Sequence, residues 1–151
     1  DLGIITTQVT ALRKAIGLPG MRVLQFAFDG HADNPYLPHN FEANTVVYSG
    51  THDNDTTWGW WNTLSANDQD YVRRYLGITG DFSEWDLIRA AWSSVAALAI
   101  IPMQDYLGLG SEARINIPST LGTNWMWRMG NGDFTKELAG RIRSMTKLYG
   151  R

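Results

Sequence analysis

The chain has no cysteine in its 151 residues, which excludes disulfides and thiolate metal sites and makes a cytoplasmic setting the expectation. Charge of either sign is also scarce. Only 19% of residues are Asp, Glu, Lys or Arg, and 13 basic against 15 acidic groups leave a formal charge of −2. No broad basic field exists to attract nucleic acid or an anionic membrane surface, so neither is expected as a partner. A neutral ligand suits this balance better. The longest apolar run, residues 95–103, is broken by Pro102 and falls short of the roughly 18 residues that a spanning helix needs. No signal-peptide pattern opens the chain; Asp1-Leu2-Gly3 leads straight into a helical pattern, as though the sequence were entered in mid-domain.

What is present is enough apolar residue, 44% of the chain, to bury the core of one domain over residues 1–151, with no second domain expected. Thr7 is placed to cap a helix with Val9, Leu12, Ile16 and Leu18 on one face, ended by Gly17 and Pro19-Gly20. Residues 21–28 form an apolar run typical of a strand buried on both faces, and residues 45–50 a second with β-branched content. Helices are expected over 57–64, 67–76 and 85–95, a third strand over 98–103, and a last helix over 135–149. Residues 30–44 and 108–131 are expected to be loops. Strands alternating with helices, each strand emptying into polar residues, predict an α/β fold with a parallel sheet or barrel and a site at the strands' C-terminal ends.

The densest polar cluster is residues 51–56, directly after the second strand, where His52 and Asp53 stand on a rigid support. A carboxylate there suits the stabilisation of a developing cation, base catalysis or metal binding; the competing reading is an Asx turn in which Asp53 or Asp55 caps the next helix. His31, His39, His52, Asp53, Asp55 and Asp105 offer metal donors, but no pair of histidines has helical i, i+4 spacing and no calcium-loop pattern occurs. The seven tryptophans include Trp58, Trp60, Trp61, Trp125 and Trp127 in predicted loops or helix ends, where aromatic faces could stack on sugars; Trp85 and Trp92 fall at core spacing. Arg114 beside Glu112 has the look of a structural tether.

Six segments together resemble the 4-α-glucanotransferases, or amylomaltases: residues 18–28 (LPGMRVLQFAF), 34–40 (NPYLPHN), 45–56 (TVVYSGTHDNDT), 101–105 (IPMQD), 108–114 (GLGSEAR) and 124–128 (NWMWR). The resemblance implies the C-terminal part of a (β/α)8 barrel of the α-amylase-like kind, about strands six to eight. It also implies a retaining double displacement on α-1,4-glucans and malto-oligosaccharides, without cofactor or metal. Asp53 matches the carboxylate that stabilises the transition state, and His52 a histidine that bonds sugar hydroxyls. Phe28, Asp29, Asn34, His39 and Asn116 resemble residues lining the glucan groove. In the family, an Asp-Leu-Gly like Asp1-Leu2-Gly3 follows the acid/base Glu, with the nucleophile Asp further upstream. Neither position exists in this sequence, so the chain alone is expected to be inactive. Three strands of an eight-stranded barrel would leave unpaired edges and an uncovered core face, so it is also expected to be prone to self-association. A non-catalytic glucan-binding module is the rival reading.

Overall fold

The computed structural model describes residues 5–151; the Asp1-Leu2-Gly3 stretch lies outside the described residues. Helix α1 spans Thr7–Ala15, and its cap is Thr6 rather than Thr7: the Thr6 hydroxyl accepts from Val9 N at 3.3 Å. Arg13 and Lys14 occupy its last turn, where positive charge complements the helix dipole.

Three short strands follow, β1 Gly20–Val23, β2 Thr45–Tyr48 and β3 Leu98–Ile100, all parallel in the order β1-β2-β3. The first expected strand therefore stops well short of residue 28. Leu24–Phe26 wind into a 3-10 turn, with Ala27 N donating to Leu24 O at 2.9 Å. Leu24, Ala27 and Phe28 are buried as foreseen, but burial of an apolar run does not distinguish extended from wound backbone. The third strand likewise ends at Ile100, because Pro102 has no N–H to continue a ladder and instead leads into a short helix.

Between β2 and β3 lie α2 Thr57–Thr63, α3 Ala66–Leu76 and α4 Glu84–Ser93; the short helix after β3 is α5, Met103–Tyr106, and α6, Lys136–Tyr149, comes last. The four longer ones each begin where a hydroxyl can take an orphan N–H: Thr56, Ser65, Ser83 and Thr135, with Asp86 completing a capping box on α4. Leu87 and Ile88 of α4 are fully buried with Val47 of β2 and Val72 of α3 in one cluster, each large side chain contributing about 1.5–3 kcal/mol. Phe28, Trp60, Trp61, Phe82, Trp85 and Trp92 fill the rest of that cluster.

Register puts Arg22, Val47 and Ala99 on one sheet face and Met21, Val46 and Leu98, then Val23, Tyr48 and Ile100, on the other. The second face is only partly covered: Leu98 and Ile100 are exposed. Val9, Leu12, Ile16 and Leu18 are exposed as well, so the apolar stripe expected to face a core has none against it among the described residues.

Candidate functional site

Residues 50–56 leave the C-terminal end of β2 and are pinned at both ends by one buried carboxylate. Ser49 Oγ donates to Asp105 Oδ2 at 2.6 Å, and Thr57 N, at the start of α2, donates to Asp105 Oδ1 at 2.7 Å. Burial pushes the Asp105 carboxyl above its ordinary range; the bonds from Ser49 and Thr57 oppose that shift and the Glu84 charge adds to it. Gly50 allows the turn to close on Gln25: a Cβ there would lie 2.6 Å from Gln25 Nε2, which donates to the Asp55 carbonyl.

Inside the turn, Asn54 Oδ1 accepts from both the Thr51 amide (2.9 Å) and the Thr51 hydroxyl (2.8 Å). Capping of α2 falls to Thr56, whose Oγ1 accepts from Gly59 N at 3.1 Å, assisted by Asp55 Oδ1 accepting from Thr56 N at 2.7 Å. The cap expected of Asp53 or Asp55 is therefore made by Thr56, with Asp55 bonding only the Thr56 amide at this helix start, and the Asp53 carboxylate takes no part in it. Asp53 and His52 point outward, with side chains 48% and 54% exposed.

The loop before α6 meets them there. Asn116 Nδ2 donates to Asp53 Oδ1 at 2.7 Å, and His52 Nε2 lies 3.3 Å from the same oxygen. Asn116 N donates to the His52 carbonyl at 3.1 Å. Arg114 donates through Nη2 to the Asp53 carbonyl (2.7 Å) and through Nε to the Asn116 carbonyl (3.0 Å). It is not the tether to Glu112 that the sequence suggested; Glu112 Oε1 accepts from Gly110 N instead. The Trp125 ring lies 5.1 Å from the His52 ring at 39°. Trp125 holds φ at 66°, an unusual value for a bulky residue, while its amide donates to Ile115 O at 2.7 Å.

His52 and Asp53 border a hollow of about 380 Å3 whose other walls include Met21, Tyr48, Ile100, Gln104 and Ile115. Its floor is the uncovered sheet face and its rim is polar, a combination suited to a ligand with apolar faces and hydroxyl edges. Among the described residues no group of three or more His, Asp or Glu could hold a metal ion.

The structure brings Asp53, His52 and Asn116 together, and uses the other candidates differently. Phe28 is buried against Trp60, Tyr71 and Tyr75. Asn34 is buried, donating to Phe26 O and accepting from Tyr36 N. His39 engages Tyr75 Oη through Nδ1 and Ala32 O through Nε2, both at 2.9 Å. Asp29 borders a different hollow, with Phe26, His31 and Tyr36; the amide of His31 bonds it and holds its carboxyl below the usual range, with Asn34 assisting. Of the loop tryptophans, Trp60 and Trp61 turn out to be core, Trp61 stacked on Phe82 at 4.0 Å, and Trp58 is half-buried with Nε1 on Glu84. Arg114 and Asp105 were legible as polar residues but not as supports, since their bonds span 61 and 48–56 residues.

A family model described as 4-alpha-glucanotransferase matches residues 1–133. The chloroplastic/amyloplastic 4-alpha-glucanotransferase of Arabidopsis thaliana is 56% identical over 155 residues, covering 100% of this chain and 27% of its own length. That of Clostridium butyricum is 50% identical, covering 100% of this chain and 31% of its own. The amylomaltase of Streptococcus agalactiae, solved in complex with acarbose, superposes with a TM-score of 0.95 at 32% identity, covering 100% of this chain and 31% of that one. The chain thus spans about three-tenths of the length of these relatives. The match runs through β1, the turn bearing His52 and Asp53, and the Asn116 and Trp125 loop that closes on it: the chain belongs to the 4-alpha-glucanotransferase family.

Proposed function

We propose that this chain forms part of a 4-α-glucanotransferase acting on malto-oligosaccharides and α-1,4-glucans, and that it supplies one wall of the reactive subsite. The observation that carries this reading is Asp53: a half-exposed carboxylate released from helix capping, held at Oδ1 by Asn116 at 2.7 Å, and facing a hollow with an apolar floor. A charge fixed in this way suits an oxocarbenium-like transition state, in which positive charge develops at the sugar's anomeric carbon. His52, 3.3 Å from that carboxylate, has a half-exposed ring available to sugar hydroxyls. In this proposal the nucleophile and the acid/base are contributed from outside residues 1–151, the strands are about the sixth to eighth of a (β/α)8 barrel, and the setting is cytoplasmic. An acceptor sugar takes the place of water in the second displacement, which makes the reaction a transfer.

The test is Asp53→Asn in the full-length transferase, followed by glucose release from maltotriose and by thermal melting. Asn keeps the shape and most hydrogen bonds but not the charge, so kcat should fall roughly 100- to 1000-fold while KM changes little. Near-normal kcat would remove Asp53 from catalysis.

A further inference from the structure

The strap of residues 111–116 crosses back over the turn that bears Asp53. Ser111 Oγ donates to Asp55 Oδ2 at 2.7 Å, Asn116 N donates to His52 O at 3.1 Å, and between these contacts lies the Arg114 guanidinium. Its two donors grip the carbonyls of Asp53 and Asn116, the same two residues whose side chains meet at 2.7 Å. The bonds therefore close a ring: Asp53 carbonyl, guanidinium, Asn116 carbonyl, Asn116 amide, Asp53 carboxylate. A guanidinium is a rigid planar fork, so it fixes the separation of the two carbonyls it holds; the single point charge of a lysine cannot.

We infer that Arg114 is a positioning residue for Asp53 in the transfer reaction, an inference that rests on the catalytic reading of Asp53. Arg114 reaches Asp53 through the backbone carbonyl and not through the carboxylate. It thereby fixes the direction in which the side chain leaves the turn without forming a short ion pair that would neutralise the charge the transition state needs. Asn116 fixes the other end, at Oδ1. With the guanidinium removed, the exposed Asp53 carbonyl can bond water instead, so the turn survives but the ring opens.

The experiment uses Arg114→Ala, Arg114→Lys and Asp53→Asn in the full-length transferase, with steady-state transfer kinetics, melting temperature, and added guanidinium ion at sub-denaturing concentration. Displacing a catalytic group by about 1 Å costs on the order of 100-fold, so Arg114→Ala should lower kcat roughly 10- to 100-fold with KM within about threefold. Arg114→Lys should fall between that variant and wild type, and free guanidinium should restore part of the Arg114→Ala rate while leaving Asp53→Asn unchanged. Near-normal kcat for Arg114→Ala beside an inactive Asp53→Asn overturns the role of Arg114 and leaves that of Asp53 standing. Equal losses in Arg114→Ala and Arg114→Lys, with lowered melting temperatures and no rescue, reduce Arg114 to a fold contact and also overturn it. Near-normal Asp53→Asn overturns the underlying reading instead.

Discussion

At the scale of single residues, a buried carboxylate shapes the site as much as the half-exposed Asp53 does. Asp105 is 2% exposed and accepts from the neutral donors Ser49 Oγ and Thr57 N, with no ion pair to a cation among the described residues. Those two donors flank the turn bearing Asp53, so the carboxylate fixes where that turn begins and ends. Burial raises its pKa above the ordinary 3.8, which means that the folded chain binds this proton more tightly than the unfolded chain. Its contribution to stability is therefore fully present below the unfolded pKa and is lost as pH rises through the raised folded value. The amide introduced by Asp105→Asn does not titrate. The stability difference between wild type and this variant should accordingly shrink on going from about pH 4 to about pH 7, because the wild type alone bears the cost of a buried charge at neutral pH. Urea unfolding of both proteins at the two values reads this directly, and a constant difference would mean that Asp105 holds its proton equally tightly in the folded and unfolded chain.

At the scale of elements, the start of α2 shows how closely the turn is built against the helix. A Cβ on Gly59 would stand 2.3 Å from Asp55 Cγ, so the carboxylate occupies the space a side chain would need. Ala in place of Gly inside a helix normally gains about 1 kcal/mol. Here it would push Asp55 off Thr56 N and Ser111 Oγ, and such overpacking typically costs about 1–3 kcal/mol. Gly59→Ala should therefore lower the denaturation midpoint, and a raised midpoint would show that Asp55 moves aside freely. Element boundaries also show how far the sequence could be read. β2 and the starts of α3, α4 and α6 were visible to within a residue or two, because β-branched content and the 3.6-residue apolar period are local signals. The 3-10 turn at Leu24–Phe26 was not, since its apolar residues satisfy a strand and a turn equally. Trp60 and Trp61 read as aromatics of loops or helix ends and are core, because Phe28, well upstream, packs against Trp60 and Phe82, well downstream, stacks on Trp61. The pairing of Asp53 with Asn116 spans 63 residues, and in the sequence only the family resemblance brought the two together.

At the scale of the whole molecule, covered and uncovered surfaces are sharply divided. On one sheet face Val47 is buried in a cluster with side chains of α2, α3, α4 and α6, whereas the other leaves Leu98 51% and Ile100 40% exposed. On α1, Leu12 is 63% exposed, Ile16 just beyond its end is 60% exposed, and among the described residues β1 and β3 each pair on one side only. Open strand edges beside exposed aliphatic side chains are the usual surfaces of self-association. At roughly 25 cal/mol per Å2, burying a few hundred Å2 of such surface offsets part of the entropy cost of pairing two molecules. Residues 1–151 alone should therefore show a weight-average mass that rises with concentration in sedimentation equilibrium. Leu12→Lys with Leu98→Lys should lower that rise, because each places a charge on an uncovered apolar face without touching the cluster around Leu87 and Ile88. If the sheet face is the site of contact, malto-oligosaccharide in the hollow bordered by Ile100 and Tyr48 should compete with association, whereas association through α1 alone would be indifferent to sugar. A monodisperse monomer at every concentration would show that these faces are too irregular to pair.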